Sequence, residues 1–195
     1  MDDSNQKKKG NDTHKGIFLL PNLFTTAALF GGFYAIIAAM KGQFEIAAVA
    51  IFISMVLDGL DGRVARLTNT QSDFGAEYDS LADMVSFGVA PGLVMYQWSL
   101  LYLANDSMLL AKLGWLGAFI YTTCTALRLA RFNTQVGTAD KRYFQGLASP
   151  AAAAVLMGAV WVCETYGIAG QDVRYPALVL TIISGGLMVS RFSYY

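Results

Sequence analysis

Four aspartates crowd one stretch of the chain, DGLDGRVARLTNTQSDFGAEYDSLAD, at positions 58, 61, 79 and 83. Asp58 and Asp61 are three residues apart and Asp79 and Asp83 four apart, so on helices each pair projects from one face. The polar turn TNTQSD between the pairs is short enough to make the two helices antiparallel neighbours, which brings four carboxylates into one small volume. Acids placed in this way repel one another and resist desolvation, and a bound cation relieves both costs. Oxygen-only ligands select a hard ion, Mg2+ or Mn2+, with Ca2+ as a further candidate. Gly59, Gly62, Gly75 and the small Ala65 lie beside the acids and leave side-chain-free space for something flat or bulky to approach the backbone. A metal with such room beside it suits a phosphorylated ligand that carries a base.

The rest of the chain must hold these acids in an apolar setting. Of 195 residues, 55% are hydrophobic and only 14% charged, and the mean hydropathy is +0.43, the balance of an integral membrane protein. Six apolar segments long enough to span a bilayer are predicted at 22–40, 44–66, 74–103, 109–130, 147–167 and 174–192, separated by polar or Gly-containing breakers. Six spans put both termini on one side. Lys7, Lys8, Lys9, Lys15, Arg63, Arg66, Arg128, Arg131, Lys141, Arg142 and Arg191 share a face, against Lys41, Lys112 and Arg174 on the other, which makes the first face cytoplasmic. The acids then stand at the cytoplasmic ends of the second and third spans.

Residues 1–15 read as a polar cytoplasmic tail, frayed or lying on a surface, ahead of a transmembrane catalytic domain at 16–195. They do not resemble a cleaved signal, because the apolar run after them is as long as a full span. Residues 13–20 suit a short interfacial helix before Pro21. A zero net charge offers no overall basic field for nucleic acid. His14 is the only histidine, which excludes a His-based metal site or Ser-His-Asp triad within the chain. Cys124 and Cys163 sit in apolar runs without CxxC spacing and read as free buried thiols.

The spacing Asp58-x2-Asp61-Gly62-x2-Ala65-Arg66-x8-Gly75-x3-Asp79-x3-Asp83 resembles, position for position, the signature of the CDP-alcohol phosphatidyltransferases. LPNLFT from residue 20 and CTALRLARFN ending at Asn133 resemble the bacterial, membrane-integral branch of that family that uses serine. The resemblance implies transfer of a phosphatidyl group from CDP-diacylglycerol to the hydroxyl of a small alcohol, with release of CMP, at a site holding two divalent ions in the cytoplasmic (inner) membrane of a homodimer. It assigns Asp58, Asp61 and Asp79 to the metals, and Asp83 to the general base and to a second metal. Gly62, Ala65 and Gly75 would line the cytidine slot, and Arg66 would be either a phosphate-side cation or a structural partner of the acids. Asn22 and Thr25, one helical turn apart, are candidates to bind the pyrophosphate or base, or else they merely start a helix after Pro21.

The acceptor must be read outside the shared signature. Arg128 and Arg131 are three apart, so one helical face presents two guanidinium groups, and Asn133 comes next. A planar cation suits the carboxylate of L-serine, and the RLARFN resemblance favours it. Lys141 and Arg142 keep glycerol 3-phosphate or inositol phosphate as alternatives. A reading from a different class is a divalent-cation carrier with intramembrane carboxylates, although it has no use for a cleared slot.

Overall fold

A computed structural model describes residues 3–68, 72–135, 144–190 and 193–194. The chain is α-helical: α1 Asp3–Met40, α2 Phe44–Thr68, α3 Asp73–Asp83, α4 Ala90–Trp98, α5 Met108–Gln135, α6 Ser149–Thr165 and α7 Arg174–Val189. A π-helical turn, Met84–Val89, joins α3 to α4, and a 3-10 helix, Leu100–Asn105, continues from α4. The described residues also include a two-residue antiparallel pairing of β1 Phe144–Gln145 with β2 Ser193–Tyr194.

These helices occupy the six predicted segments, with the third built from four consecutive pieces. By length and composition alone, one segment among the described residues, Asn22–Met40, is long and apolar enough to cross a membrane. Most of the others fall short for visible reasons. The C-terminal end of α2 carries Asp58, Asp61, Arg63 and Arg66, the third rod is interrupted by its π turn, and α6 and α7 have only 17 and 16 residues. The tail also differs from expectation. Helix α1 begins at Asp3 and runs through Pro21 rather than starting after it; Lys, frequent in this tail, is a good helix former.

The contact between α1 and α2 is made mostly of small side chains. Ala35, Ala38, Ala39, Ala47, Ala48 and Ile51 bring α1 close against α2, while Gly31 faces Ser54 of α2 and Gly32 faces Ser86 of the π turn. In lipid, such small residues let backbones approach and gain dispersion contact. Many large apolar side chains point outward, Phe30, Val56, Phe119 and Val179 among them, each more than half exposed. That apolar exterior suits a lipid surround.

At the end of the bundle away from the acids, Arg174 grips Asp106 through Nε at 2.6 Å and Nη2 at 2.9 Å, and Tyr175 Oη donates to the same carboxylate. Those hydrogen bonds hold the Asp106 carboxyl below its ordinary range. At the opposite end, Gly146 adopts φ +76° where the chain enters α6, and a Cβ there would collide with the carbonyls of Met188 and Ser190. This turn docks the start of α6 on the end of α7 and so places Ser149.

Candidate active site

Helices α1, α2 and α3 converge on the acids. Ser72 caps α3 by accepting from Gly75 N at 3.0 Å, which fixes where the helix begins and therefore which face carries Asp79 and Asp83. Tyr78 Oη and Thr26 Oγ1, 2.9 Å apart, tie α3 to α1. Thr25 Oγ1 donates to Asp61 Oδ2 at 2.8 Å, and both residues are buried. One carboxylate oxygen each from Asp58, Asp61 and Asp79 lies within 4.8 Å of the others. Asp83 stands beside this triad, its carboxyl close to that of Asp58.

The triad fits a hard divalent cation on its own evidence. Asp79 Oδ1 is buried without a hydrogen-bond partner among the described residues. Leaving such an oxygen unpaired costs roughly 1–3 kcal/mol or more, and a cation between three carboxylates offsets that cost while cancelling their repulsion. The donor set is all oxygen, as Mg2+ and Mn2+ prefer.

Beside the triad opens a cavity of about 400 Å3, lined by Asn22, Thr25, Asp61, Gly62, Ala65, Arg66, Ser72, Gly75, Ala76 and Asp79. Gly62 has no atom within 4 Å of where its Cβ would stand, so its missing side chain is open cavity space. A Cβ on Gly75 would press on Ser72 Oγ at 3.1 Å and approach Asn22 Oδ1 at 3.6 Å. Arg66 Nε donates to Gly62 O at 2.9 Å, which folds the guanidinium along its own helix at the cavity wall. Gly59, by contrast, is exposed and does not line the cavity.

The end of α5 nearest the acids is fastened on three sides. Arg128 Nη1 donates to the buried Ser149 Oγ at 2.9 Å, while Arg128 Nε is buried without a partner among the described residues. Asp83 lies within electrostatic reach of this guanidinium. Arg131 Nη1 instead reaches Val189 O, on the last turn of α7, at 3.4 Å. Asn133 exchanges hydrogen bonds with Ser80 of α3. The two arginines predicted to act together therefore point to different partners, and Lys141 and Arg142 lie outside the described residues. Ser72, Ala76, Ser80 and Ser149 join the site without having stood out in the sequence. Ser72 has a local signal, a serine three residues before Gly75 at a helix start, whereas Ser149 is linked to the site only through Arg128, 21 residues earlier.

A family model described as CDP-alcohol phosphatidyltransferase matches residues 18–186. A Helicobacter pylori protein named CDP-diacylglycerol--serine O-phosphatidyltransferase is 39% identical over 178 residues, covering 91% of this chain and 72% of its own. Proteins of the same name from Methanocaldococcus jannaschii and Saccharomyces cerevisiae are 40% and 31% identical, covering 74% and 83% of this chain and 61% and 64% of theirs.

Proposed function

We propose a reaction for a chain that belongs to the CDP-alcohol phosphatidyltransferase family: it transfers the phosphatidyl group of CDP-diacylglycerol to the hydroxyl of L-serine, giving phosphatidylserine and CMP. The observation that carries this reading is the triad of Asp58, Asp61 and Asp79 opening directly onto a cavity walled by Gly62, Ala65 and Gly75. A cation carrier needs the acids but not that slot.

Asp58, Asp61 and Asp79 would hold Mg2+ or Mn2+, with Asp83 able to share a second ion. Such ions, when bound, neutralise pyrophosphate charge and polarise the phosphorus attached to the lipid. Gly62, Ala65 and Gly75 leave the cytidine its place, and Asn22 and Arg66 offer donors along the same wall, while Thr25, whose hydroxyl hydrogen goes to Asp61, lines it with its oxygen and methyl group. Asp83, held against Asp58, takes the proton of the serine hydroxyl as its oxygen bonds to the lipid-bearing phosphorus. The pyrophosphate bond breaks on the opposite side, and its electron pair leaves with CMP. Arg128 carries an unpaired buried N–H near Asp83, which suits the serine carboxylate; Asn133 and Arg131 hold the helix that presents it.

The family is membrane-integral, and Asn22–Met40 is a candidate span. Six spans, cytoplasmic termini, an inner-membrane location with the site facing the cytoplasm, and a homodimer complete the proposal. The charge asymmetry of the sequence and the outward apolar surface support its membrane part. Purified protein given CDP-diacylglycerol with serine, glycerol 3-phosphate or inositol phosphate in turn tests the reaction. Phosphatidylserine and CMP in equal amounts are expected. A lipid product from either phosphorylated alcohol but none from serine would overturn the acceptor assignment.

A further inference from the structure

The helix that carries Asp79 and Asp83 does not continue regularly. At Met84, the residue after Asp83, it widens into a π turn that lasts to Val89, and Ala90 N donates to Val85 O, five residues back. Pro91 gives the local cause. Its ring nitrogen has no hydrogen to offer the carbonyl four residues earlier, that of Phe87, and in a regular helix its ring would crowd the same carbonyl. That carbonyl is served from another helix: Tyr121 Oη of α5 donates to Phe87 O at 2.9 Å. Thr122 Oγ1, one residue on, is 3.5 Å from Gly88 O. Phe87 and Tyr121 are both fully buried, so no water replaces this bond from bulk solvent.

The width of the turn has a consequence for the acids. A π turn takes up about one residue more than an α turn, so it rotates everything before it by about 100° relative to everything after it. The end of the turn and the chain beyond it are pinned: Gly88 packs on Thr125, and Gly92 on Thr122 and Ala118, all of α5. The turn itself is pinned to α1, where Ser86 Oγ donates to Ala28 O at 3.1 Å. With α4 held, the direction in which Asp79 and Asp83 point depends on the turn staying wide. Closing it into a regular helix would swing their face about one residue position away from Asp58 and Asp61.

We infer that Tyr121 is a positioning residue for the acid cluster, fixing in place the wide turn that Pro91 imposes after Asp83 by donating to the carbonyl that Pro91 cannot serve. The inference rests on the reading of Asp79 as a metal ligand, and it concerns a residue that touches neither substrate nor metal. A buried tyrosine hydroxyl needs some partner in any case, so the test must separate positioning from stability.

Mn2+ binding to purified protein without substrates, monitored by electron paramagnetic resonance, provides that separation, together with thermal midpoints and CMP release. Asp79→Asn serves as the control for the metal reading. Tyr121→Phe keeps the ring and removes the donor; Mn2+ affinity is expected to fall fivefold or more and kcat tenfold or more. Adding Pro91→Ala to Tyr121→Phe gives the Phe87 carbonyl a backbone donor and lets the helix close. This double variant is expected to regain or exceed the wild-type thermal midpoint while Mn2+ binding stays weak. Wild-type Mn2+ affinity in either variant would overturn the inference, and the double variant decides alone if Tyr121→Phe does not fold. If Asp79→Asn leaves Mn2+ binding unchanged, the metal reading falls first and the inference with it.

Discussion

Thr25 on α1 and Asp61 on α2 are joined by a 2.8 Å hydrogen bond in the buried floor of the site, 36 residues apart in sequence. The hydroxyl leaves Asp61 one fewer way to turn, so the carboxylate is already oriented before a cation arrives. Thr25→Val keeps the shape and removes the donor. The concentration of Mn2+ giving half-maximal CMP release is expected to rise by about 10- to 100-fold, the usual cost of losing such a support, with protein yield little changed. An unchanged metal requirement would mean that the bond is only structural.

The acids themselves divide by role. Asp→Asn at 58, 61 or 79 preserves shape but removes charge from a cation site, and is expected to abolish transfer and weaken metal-dependent binding of CDP-diacylglycerol. Asp83→Asn is expected to keep donor binding within a few-fold and lose turnover, because Asp83 stands outside the triad and against Asp58. Donor binding measured on all four variants decides the matter. A loss at Asp83 as deep as at Asp79 would make Asp83 chiefly a ligand.

Gly62 and Gly59 provide a matched pair. Neither would bring a Cβ within 4 Å of a neighbour, yet only Gly62 lines the cavity. Replacing either with Leu raises helix propensity by about 0.5–1 kcal/mol, so neither variant is expected to lose stability. Gly62→Leu is expected to raise the KM for CDP-diacylglycerol tenfold or more, and Gly59→Leu to leave it alone. Equal KM values in the two would remove Gly62 from the nucleotide slot.

Much of this site is legible in the sequence because it is local. Spacings of three and four on two helices joined by a short polar turn already determine that Asp58, Asp61 and Asp79 meet. The wide turn after Asp83 is not legible within the apolar run 74–103. Pro91 announces that one backbone donor is missing, but the replacement comes from Tyr121 on another helix. The same limit applies to Arg128 and Arg131. Their spacing puts them on one face, while their partners, Ser149 and the Val189 carbonyl, are set by how α6 and α7 dock. Helix α1 beginning at Asp3 is hidden in the sequence for a different reason: charge and polarity mark a tail, although the same residues accept helical geometry.

That division between the arginines yields the last prediction. Arg131 directs Nη1 to a helix-end carbonyl, where a cation is favourable and Lys serves nearly as well. Arg128 keeps a buried Nε–H without a partner among the described residues, is steadied by Ser149, and lies within electrostatic reach of Asp83. A carboxylate bound there takes two parallel N–H donors from a planar group, which Lys cannot supply. Arg128→Lys is therefore expected to raise the KM for serine tenfold or more, about 1.4 kcal/mol, with the KM for CDP-diacylglycerol within twofold of wild type. Arg131→Lys is expected to shift the serine KM by less than threefold and to show mainly as a lowered thermal midpoint. Steady-state kinetics with each substrate varied in turn separates the two, and a larger serine defect at Arg131 than at Arg128 would reverse the assignment.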